Sequence, residues 1–600
     1  MKSSLCWSAD FETTTDKEDC RVWAYALSNV ENPKDFHYGN SIEGFIDFCR
    51  ESKQNYTVYF FNLKFDGAFI LSYLLEQGYR RIESPKEKAD NTFTTLITDR
   101  GAFYAIEIYF KATSHRVQKV KIIDAMKIFP NFSVESLAEA FGLPISKLEL
   151  DYSEKRAIGH ELTQHEIDYI RNDVEIVAWA LKAMFDKGLT KMTIASNAIQ
   201  NFRSKFKFFD KFFPQLGEDV DASIRASYRG GFTYLNDKYI GKEQGKGLSI
   251  DVNSLYPSVM KFESMPVNFP EYFEGKYIYD PAYPLYVQEI SVCFNLKPNK
   301  IPCIQIKNSL IFIPNEYLKS SNNDIIDLTL TKPDLELFLE QYETTYIKYK
   351  CGWKFKSSHG VFDTYIDYWM GEKIKASKEK NLPLKTISKL CMNSLYGRFG
   401  ISLSARQKEP YLDLDGKLCY RNLEEEKKKG LYIPVASFIT AYGRNKTIRT
   451  SQAVRDFSLK KYGIDKYYYS DTDSIKCGLT DEDLEELKNT IEIDDYKLGA
   501  WALEEHFDRF LGLRQKCYIT ESEGKVHVTV AGLPKYLAPL ITFDNFKKGF
   551  TTAGLTLKEM QEQARKNGAT EEEIKKLHHK LRYTYVNGGV VLEDTDFTIK

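Results

Sequence analysis

The pattern of apolar and polar residues alternates between strand and helix periodicity over the first 190 residues. The stretches LCWSADFE and TVYFFN are short and rich in β-favouring residues, which predicts strands. The run DGAFILSYLLEQG, which ends at Gly78, and the stretch 165–185 place apolar residues at helical spacing. We therefore predict an α/β domain over residues 1–190, which is within the usual size of a domain.

Beyond residue 190 the pattern changes several times. GLSIDVNSLYPSVM predicts a strand followed by a turn at Pro257, and residues 263–362 carry strand signals without a long periodic helix. Residues 363–399 have the pattern of a helical hairpin with a break at NLP. A charged stretch with the block EEEKKKG then predicts a solvated loop, and strands are expected again from about residue 432. Two helices are predicted in LKEMQEQARKNG and ATEEEIKKLHHKLR.

Composition narrows the class of protein. With 600 residues, 43% of them hydrophobic and 28% charged, the chain has the composition of a globular protein of several domains. The net charge of −1 gives no whole-chain support to nucleic-acid binding, so a binding surface needs local segregation of charge. The ten Cys form no CxxC pair and the nine His show no zinc-type spacing, which indicates reduced thiols in an intracellular protein without structural zinc. We expect neither a signal peptide nor a membrane span.

Acidic residues of the N-terminal domain form the first candidate site. Two lie two residues apart on one face of a predicted strand, one begins a helix, and one follows a tyrosine by one helical turn. In chain order these residues are Asp10, Glu12, Asp66, Tyr169 and Asp173. Taken singly, they could be a solvated strand face, a helix N-cap and an exposed helical acid. Taken together, the four acids could hold two Mg²⁺ roughly 3.5 to 4 Å apart and cleave a phosphodiester.

A second group of acids lies far along the chain. Asp251 ends a predicted strand in IDVNSLYPS, and Asp471 and Asp473 flank a predicted hairpin turn in YYSDTDSI. Two like charges this close raise each other's pKa unless something neutralises them, and the usual partner is a divalent cation with oxygen ligands. Ordinary turn or cap positions are the alternative, since Asp is favoured there.

One predicted helix face carries side chains suited to a nucleotide. Lys389, Asn393 and Tyr396 fall at i, i+4 and i+7 in KLCMNSLYG. An amphipathic surface helix is the alternative interpretation. A lysine, an amide and an aromatic ring on one stripe would suit a triphosphate, a sugar and a base.

These motifs resemble those of the family B DNA polymerases. DVNSLYPS is similar to motif A (DxxSLYP), KLCMNSLYG to motif B (KxxxNSxYG) and YSDTDS to motif C (YxDTDS), in the same order and spacing. LRQKCY resembles the KxY motif, and YRGGF resembles the YxGG element that precedes motif A. The order of the N-terminal acids resembles the DEDD exonucleases in their DEDDy form. Resemblance to the φ29-type bacteriophage polymerases of the protein-primed branch runs through almost the whole chain.

The resemblance implies two sites of phosphoryl transfer, each with two Mg²⁺, for which Mn²⁺ can substitute. In the polymerase site Asp251, Asp473 and the Val252 carbonyl would hold the metals, and Asp471 beside them would support the primer end or a metal. In the exonuclease site the four N-terminal acids would be the metal ligands. Tyr169 would then orient the attacking water.

The resemblance also implies contacts with the nucleotide and with DNA. Lys389 would neutralise the incoming triphosphate, and Tyr256 would stack under the sugar and exclude a 2′-hydroxyl group. The other two residues of the helix stripe would shape the base-pair pocket, and Lys375 or Lys373 would add a phosphate contact. The implied DNA contacts are Asn62, Phe65, Tyr228, Arg229, Gly230, Gly231, Thr440, Arg444, Lys516, Tyr518 and Lys147.

The implied fold has α/β and α+β parts, with an RNase H-like exonuclease domain joined to a right-hand polymerase of palm, fingers and thumb. Two insertions mark the protein-primed branch. In relatives the first docks a terminal protein whose hydroxyl group replaces a primer end, and the second helps to encircle DNA during strand displacement. The predicted boundaries are 1–190 for the exonuclease, 191–262 for the first part of the palm, 263–362 for terminal protein region 1, 363–400 for the fingers, 401–433 for terminal protein region 2, 434–545 for the second part of the palm and 546–600 for the thumb.

The predicted function is replication of a linear phage-type genome by protein-primed, strand-displacing DNA synthesis with 3′–5′ proofreading. The implied partners are primer-template DNA, single-stranded DNA, dNTPs and a terminal protein, and we expect a monomer in the host cytoplasm without membrane contact. Two other functions stay open: a nuclease whose C-terminal part only binds DNA, and a replication scaffold with decayed sites. The chain departs from the family pattern at three positions of the exonuclease region. Phe61 stands where the family often has histidine, and Ala125 and Met126 stand where it has serine and leucine. The balance between synthesis and 3′–5′ digestion therefore stays open.

Overall fold

The structure is a computed structural model, and it describes residues 3–51, 54–113, 116–145, 148, 150–152, 154–305 and 313–600. One predicted DNA contact, Lys147, lies outside these residues. Within them, an α/β region is followed by several smaller α+β regions, which confirms the predicted fold class.

An eight-stranded sheet is the centre of the N-terminal region. Its strands are β1 Cys6–Thr13, β2 Val22–Asn29, β3 Phe36–Gly39, β4 Thr57–Phe60, β5 Arg80–Arg81, β6 Thr92–Ile97, β7 Phe103–Ala112 and β8 Val117–Asp124. The order across the sheet is β3-β2-β1-β4-β8-β7-β6-β5, in which β1, β4 and β8 run parallel. The helices are α1 Ile42–Glu51, α2 Leu63–Glu76, α3 Val134–Ala140 and α4 Gln164–Asp186. Parallel neighbours require crossover connections, and α1 and α2 supply them here.

The two faces of β1 differ in chemistry. Trp7, Ala9 and Phe11 pack into one apolar core with α1 and α2. Because side chains alternate along a strand, Asp10 and Glu12 project from the opposite face. Helix α4 packs over β1 and β2 and covers this second face.

Helices α5 Ile194–Lys205, α6 Phe209–Phe212 and α7 Glu218–Arg225 connect the N-terminal region to the next sheet. That sheet begins with β9 Thr233–Leu235 and β10 Gly247–Val252, which are followed by α8 Leu255–Phe262. The predicted turn at Pro257 is wrong, because this proline lies in the first turn of α8. A proline is tolerated there, since the first N–H groups of a helix have no intrahelical partner.

The next segment forms a four-stranded antiparallel sheet with one helix. Its elements are β11 Met265–Glu274, β12 Leu285–Leu296, β13 Ile326–Thr331, α9 Lys332–Gln341 and β14 Tyr342–Ser358, and the sheet order is β11-β14-β12-β13. The strand signals predicted here are confirmed, and the segment also contains one short helix, α9, of 10 residues. The start of this helix is well defined, because Thr331 caps it and Pro333 lies in its first turn.

The predicted helical hairpin over 363–399 is confirmed as α10 Asp363–Lys378 and α11 Leu382–Phe399. The predicted solvated loop after it is wrong, because β15 Ser404–Leu412 and β16 Leu418–Lys427 form a hairpin there. Its charged residues face solvent, so the charge block gave no strand signal.

A 30-residue helix, α12 Ile433–Tyr462, replaces the strands predicted from about residue 432. Buried residues occur on every side of this helix, so it lacks the single apolar stripe that marks a surface helix. After it, β17 Tyr467–Asp471, β18 Ser474–Cys477, α13 Asp481–Leu487 and β19 Trp501–Phe507 complete a five-stranded sheet of order β19-β10-β18-β17-β9. A three-stranded sheet follows, formed by β20 Arg509–Arg514, β21 Cys517–Ser522 and β22 Lys525–Val530.

The C-terminal region contains α14 Leu557–Lys566, α15 Glu571–Lys575, β23 Lys580–Val586 and β24 Gly589–Thr595. Two helices were predicted here, but the second ends earlier than expected and its last predicted residues belong to β23. All ten cysteines are free thiols, as predicted. Within the described residues, no helix combines the length and apolar character that crossing a membrane requires.

Candidate active sites

Adjacent strands bring Asp251 and Asp473 together. Asp251 pairs with Ser474 across β10 and β18, and the Val252 N–H donates to the Asp473 carbonyl at 2.8 Å. Thr472 has a φ of 58°, which closes the tight turn between β17 and β18. The backbone thus places both carboxylates along one open cleft of about 610 Å³.

The negative charges of these two carboxylates repel each other. The pKa of Asp251 is raised to about 7, first by burial and then by the charges of Asp473 and Glu504. The pKa of Asp473 is also raised, and burial is again the main cause. A divalent cation fits this pair of donors, because it would neutralise the two carboxylates with oxygen ligands. Among the described residues, no group of three or more His, Cys, Asp or Glu side chains is already arranged to hold a metal ion.

Asp471, by contrast, is neutralised within the protein. Lys516 Nζ lies 2.9 and 3.0 Å from its two carboxylate oxygens. The hydroxyl groups of Thr233 and Tyr469 donate to it at 3.1 and 3.2 Å. The charge of Asp471 is therefore balanced by Lys516, and the two residues form an ion pair.

Two tyrosines predicted to contact the nucleotide form one aromatic wall. The ring centroids of Tyr256, on α8, and Tyr396, on α11, are 4.1 Å apart with 33° between their planes. A Cβ atom at Gly231 would lie 2.8 Å from the Thr472 side chain and 3.0 Å from the Tyr256 hydroxyl, so only glycine fits there without a shift. Asn393 is exposed on α11, one turn before Tyr396. The wall therefore joins motif A, motif B and the YRGG loop.

Three lysines of the helical hairpin lie near one another, and one of them lies near Asp251. The charge of Lys389 lowers the pKa of Asp251. The pKa of half-buried Lys373 is lowered by burial and then by the charges of Lys389 and Lys385. Of the two lysines predicted as alternatives, Lys373 belongs to this group, whereas Lys375 is exposed. Lys385 was not among the predicted residues, although it lies one helical turn before Lys389 and this spacing is visible in the sequence.

Arg444, in α12, holds the YRGG loop from inside the protein. Its Nη1 donates to the carbonyls of Arg229 and Gly230 at 2.7 and 2.8 Å, and its Nη2 lies 2.6 Å from an Asp334 oxygen. Thr440, one turn earlier, donates to the backbone of its own helix. Direct DNA contact was predicted for both residues, but both are buried and their polar side-chain atoms bond within the protein. The geometry gives Arg444 a positioning role instead.

The other predicted DNA contacts of this region differ in accessibility. Lys516 and Tyr518 line the cleft that contains the acids. Tyr228 packs against Gly400, where an added Cβ atom would lie 2.5 Å from the tyrosine hydroxyl. Arg229 donates to a backbone carbonyl of β13 at 3.0 Å. The first two residues therefore face the cleft, whereas the last two also hold the protein together.

The acids predicted for the N-terminal site meet between β1, α2 and α4. Asp66, in the first turn of α2, is 2% exposed, and its pKa is raised by burial and by the charges of Asp10 and Glu12. The pKa of Tyr169 is also raised, by burial and then by the charges of Glu12 and Asp173. Among the described residues, Asp66 Oδ1 is buried without a hydrogen-bond donor. A buried acceptor beside other carboxylates fits a divalent cation.

One aromatic residue of this site, Tyr152, was not predicted from the sequence. The Tyr152 hydroxyl lies 2.9 Å from the Tyr169 hydroxyl. Tyr152 as a whole is 47% exposed, but its hydroxyl group faces the site, where desolvation and then the charges of Glu12 and of two further acids raise its pKa. Tyr152 lies in an aperiodic segment before α4, so no helical or strand spacing linked it to the other residues.

The predicted single-strand contacts lie beside the C-terminal hairpin. Asn62 Nδ2 donates to the Tyr583 hydroxyl at 3.1 Å, and the Phe65 and Tyr583 ring centroids are 6.1 Å apart. The Lys64 ammonium lies 5.0 Å from the centroid of the same tyrosine ring. Phe61 packs against the hydrophobic core. The hairpin of β23 and β24 thus reaches the start of the helix that carries Asp66.

Comparison with known proteins identifies the family. The family described as DNA polymerase type B, organellar and viral, matches residues 49–497. The DNA polymerase of Bacillus phage Nf is 40% identical over 618 aligned residues, which cover 100% of both chains. The chain belongs to the family B DNA polymerases. The DNA polymerase of Bacillus phage phi29, another member, is 39% identical and covers 99% of each chain.

Solved structures place this family B polymerase in the φ29 type. Phi29 DNA polymerase in an orthorhombic crystal form has a TM-score of 0.87 at 38% identity, covering 99% of this chain and 100% of that chain. The phi29 complex with primer-template DNA and incoming nucleotide has a TM-score of 0.86 at the same identity and coverage. The predicted family and the predicted enzyme class, DNA-directed DNA polymerase, are confirmed. Exonuclease activity and the use of divalent metal ions are characteristic of this family.

Proposed function

We propose that this polymerase replicates a linear phage-type genome by protein-primed initiation, strand-displacing synthesis and 3′–5′ proofreading. The observation that carries the proposal is the presence of two separate acidic sites. One contains Asp251 and Asp473 beside a tyrosine wall and several lysines, and the other contains Asp66 and its neighbours under α4. A nuclease with a DNA-binding C-terminal part has no need of the first site, and a decayed scaffold has no need of either.

In the polymerase site, Asp251, Asp473 and the Val252 carbonyl would hold two Mg²⁺ ions. Bound Mg²⁺, or Mn²⁺ in its place, would lower the pKa of the primer hydroxyl and neutralise charge on the transferred phosphate. Lys389, with Lys373 near it, would bind the triphosphate as a point charge. Tyr256 would lie under the sugar and exclude a 2′-hydroxyl group by its volume.

In the exonuclease site, the four acids would hold the second metal pair. Tyr169 would orient the attacking water, and we add Tyr152 to this site because its hydroxyl lies 2.9 Å from that of Tyr169. Asn62 and Phe65 would bind the single-stranded primer end. A base of that strand would stack on the face of the Phe65 ring.

The partners follow from the family and from its solved complexes. Structures of phi29 DNA polymerase contain single-stranded DNA, primer-template DNA and incoming nucleotides, and we infer the same ligands here. We propose that the segment 263–362 docks a terminal protein, and that the division into the seven predicted segments holds. We also propose that the polymerase acts as a monomer in the cytoplasm of a host cell.

Two variants test the separation of the sites. Asp473→Ala should abolish extension of a primed template with Mg²⁺ and dNTPs while digestion of single strands continues. Asp66→Ala should do the reverse. If either variant loses both activities while it stays folded, the two-site assignment is wrong. Transfer of a deoxynucleotide to a purified cognate terminal protein tests protein priming separately, and failure of that transfer would contradict it.

A further inference from the structure

A buried ion pair lies at the start of α4, outside both acidic sites. Arg156 and Glu166 are 6% and 5% exposed, and Arg156 Nε donates to Glu166 Oε1 at 2.6 Å. His160 Nε2 lies 2.9 Å from the other Glu166 oxygen, and the Thr163 N–H donates to that oxygen at 2.9 Å. Burial would raise the pKa of Glu166, but these hydrogen bonds lower it to about 2.

Arg156 also holds the backbone of the segment that precedes α4. Its Nη1 donates to the carbonyls of Asp151 and Glu154, each at 3.1 Å. The guanidinium carbon lies 4.3 Å from the ring centroid of Trp23, which is 2% exposed on β2. Because a guanidinium is planar and rigid, these contacts fix the segment relative to both β2 and α4.

The segment held in this way carries Tyr152. This tyrosine follows Asp151 directly, and its hydroxyl reaches the Tyr169 hydroxyl. Tyr169 lies three residues after Glu166 on α4, so the two residues share one helix face. The contacts therefore close a ring that runs from Arg156 through Tyr152 to Tyr169, along α4 to Glu166, and back to Arg156.

We propose that the ion pair of Arg156 and Glu166 positions Tyr152 and Tyr169 for the exonuclease reaction. The pair touches no reacting atom, so both members are positioning residues. Misplacement of a reacting group by about 1 Å can slow a reaction by about a hundredfold. The inference rests on the exonuclease function proposed above and adds to it the device that sets the distance between the two hydroxyl groups.

A purely structural ion pair gives a different expectation. Removing one partner of a buried pair leaves the other charge uncompensated and destabilises the fold. Such damage would reduce strand binding and polymerisation together with digestion. A positioning role reduces the rate of digestion alone.

The test measures three properties of each variant. These are the single-turnover rate of 3′–5′ digestion of a labelled single-stranded oligonucleotide, the affinity for that oligonucleotide, and primer extension with dNTPs. Arg156→Met should slow digestion by about tenfold to a hundredfold and leave affinity and extension within about twofold. Arg156→Lys should be intermediate, because an ammonium can pair with Glu166 but cannot also hold both carbonyls in a fixed plane.

A surface ion pair in the same domain provides a control for the loss of an arginine. Arg50 pairs with Asp47 at 3.0 Å, and its guanidinium carbon lies 5.7 Å from the Phe110 ring centroid. It thus has an ion pair and an aromatic contact without a link to α4. Arg50→Met should leave digestion, strand affinity and extension unchanged.

A double-mutant cycle separates positioning from general damage. In a Tyr152→Phe background the hydroxyl to be positioned is absent, so Arg156→Met should slow digestion by a smaller factor than in the wild type. An equal factor in both backgrounds would overturn the proposal, as would a parallel loss of extension. If Arg156→Met fails to fold, Glu166→Gln gives the same test, because glutamine retains the capping-box geometry and lacks the charge.

The outcomes also separate this inference from the proposed function. If Asp66→Ala abolishes digestion while Arg156→Met and Glu166→Gln digest at the wild-type rate, only the positioning role is wrong. If digestion persists in Asp66→Ala, the exonuclease assignment itself fails.

Discussion

Replacing Asp251 with asparagine should stabilise the metal-free polymerase at alkaline pH and abolish synthesis. The pKa of Asp251 is raised from 3.8 to about 7, so its ionised form is disfavoured in the folded state. At about 1.36 kcal/mol for each pH unit, this difference corresponds to at most about 4 kcal/mol. The penalty is absent below pH 3.8, grows as the pH rises, and is complete above pH 7. Asparagine removes it, because an amide does not ionise.

The assay is denaturant unfolding of wild type and Asp251→Asn in EDTA at pH 8 and at pH 5. The free energy is taken from the unfolding transition of the region that contains Asp251. The variant should be more stable by about 1 to 4 kcal/mol at pH 8, with a clearly smaller gain at pH 5. Adding Mg²⁺ should stabilise the wild type more than the variant, since bound metal supplies the missing positive charge.

A surface acid provides the control for this experiment. The Asp415 side chain is 75% exposed, so Asp415→Asn should change stability little at either pH. An Asp251→Asn variant that is no more stable than the wild type at pH 8 would refute the charge-repulsion argument. A gain of equal size at both pH values would also refute it.

Three further substitutions test other parts of the account. Gly231→Ala should raise the KM for dNTPs, because its Cβ atom would lie 3.0 Å from the hydroxyl of the nucleotide-facing tyrosine, and steady-state extension measures this. Arg444→Met should lower the free energy of unfolding by about 3 to 5 kcal/mol, because it leaves the Asp334 carboxylate buried without its partner, and denaturant unfolding checks it. Tyr583→Phe removes the hydrogen bond that Asn62 donates to the Tyr583 hydroxyl, which leaves the Asn62 amide free to bind a strand. The apparent affinity for single strands should therefore rise by about fivefold in an equilibrium binding assay, which corresponds to one neutral hydrogen bond. An unchanged KM for dNTPs in Gly231→Ala would contradict the first expectation. An unchanged free energy of unfolding in Arg444→Met would contradict the second, and an unchanged single-strand affinity in Tyr583→Phe would contradict the third.

The residues at the ends of regular elements could be predicted well from the sequence. Asp251 lies near the end of an apolar strand, Asp473 lies in a tight turn, and Asp66 lies in the first turn of a helix, so local patterns indicated the position of each. Tyr169 shares a helix face with the acid that follows it, which spacing alone reveals. The family motifs then joined these local predictions into two sites.

The remaining features depend on contacts between distant segments. Helix α12 is buried on most of its surface, so it lacks the polar face that distinguishes a helix from strands in sequence. The hairpin of β15 and β16 is charged and exposed, and its strands are stabilised by pairing with each other. Tyr152 enters its site through an aperiodic segment held by Arg156, and Lys516 reaches Asp471 across 45 residues. No local period encodes such contacts.

The central claim is that distant acids converge on two separate sites for divalent cations. Anomalous diffraction from crystals grown with Mn²⁺ and primer-template DNA would test it most directly. We predict manganese peaks between Asp251 and Asp473 and beside Asp66, with no peak bound by Asp471 while Lys516 occupies its carboxylate. An absence of peaks at the first two places, in crystals that hold Mn²⁺ elsewhere, would contradict the claim.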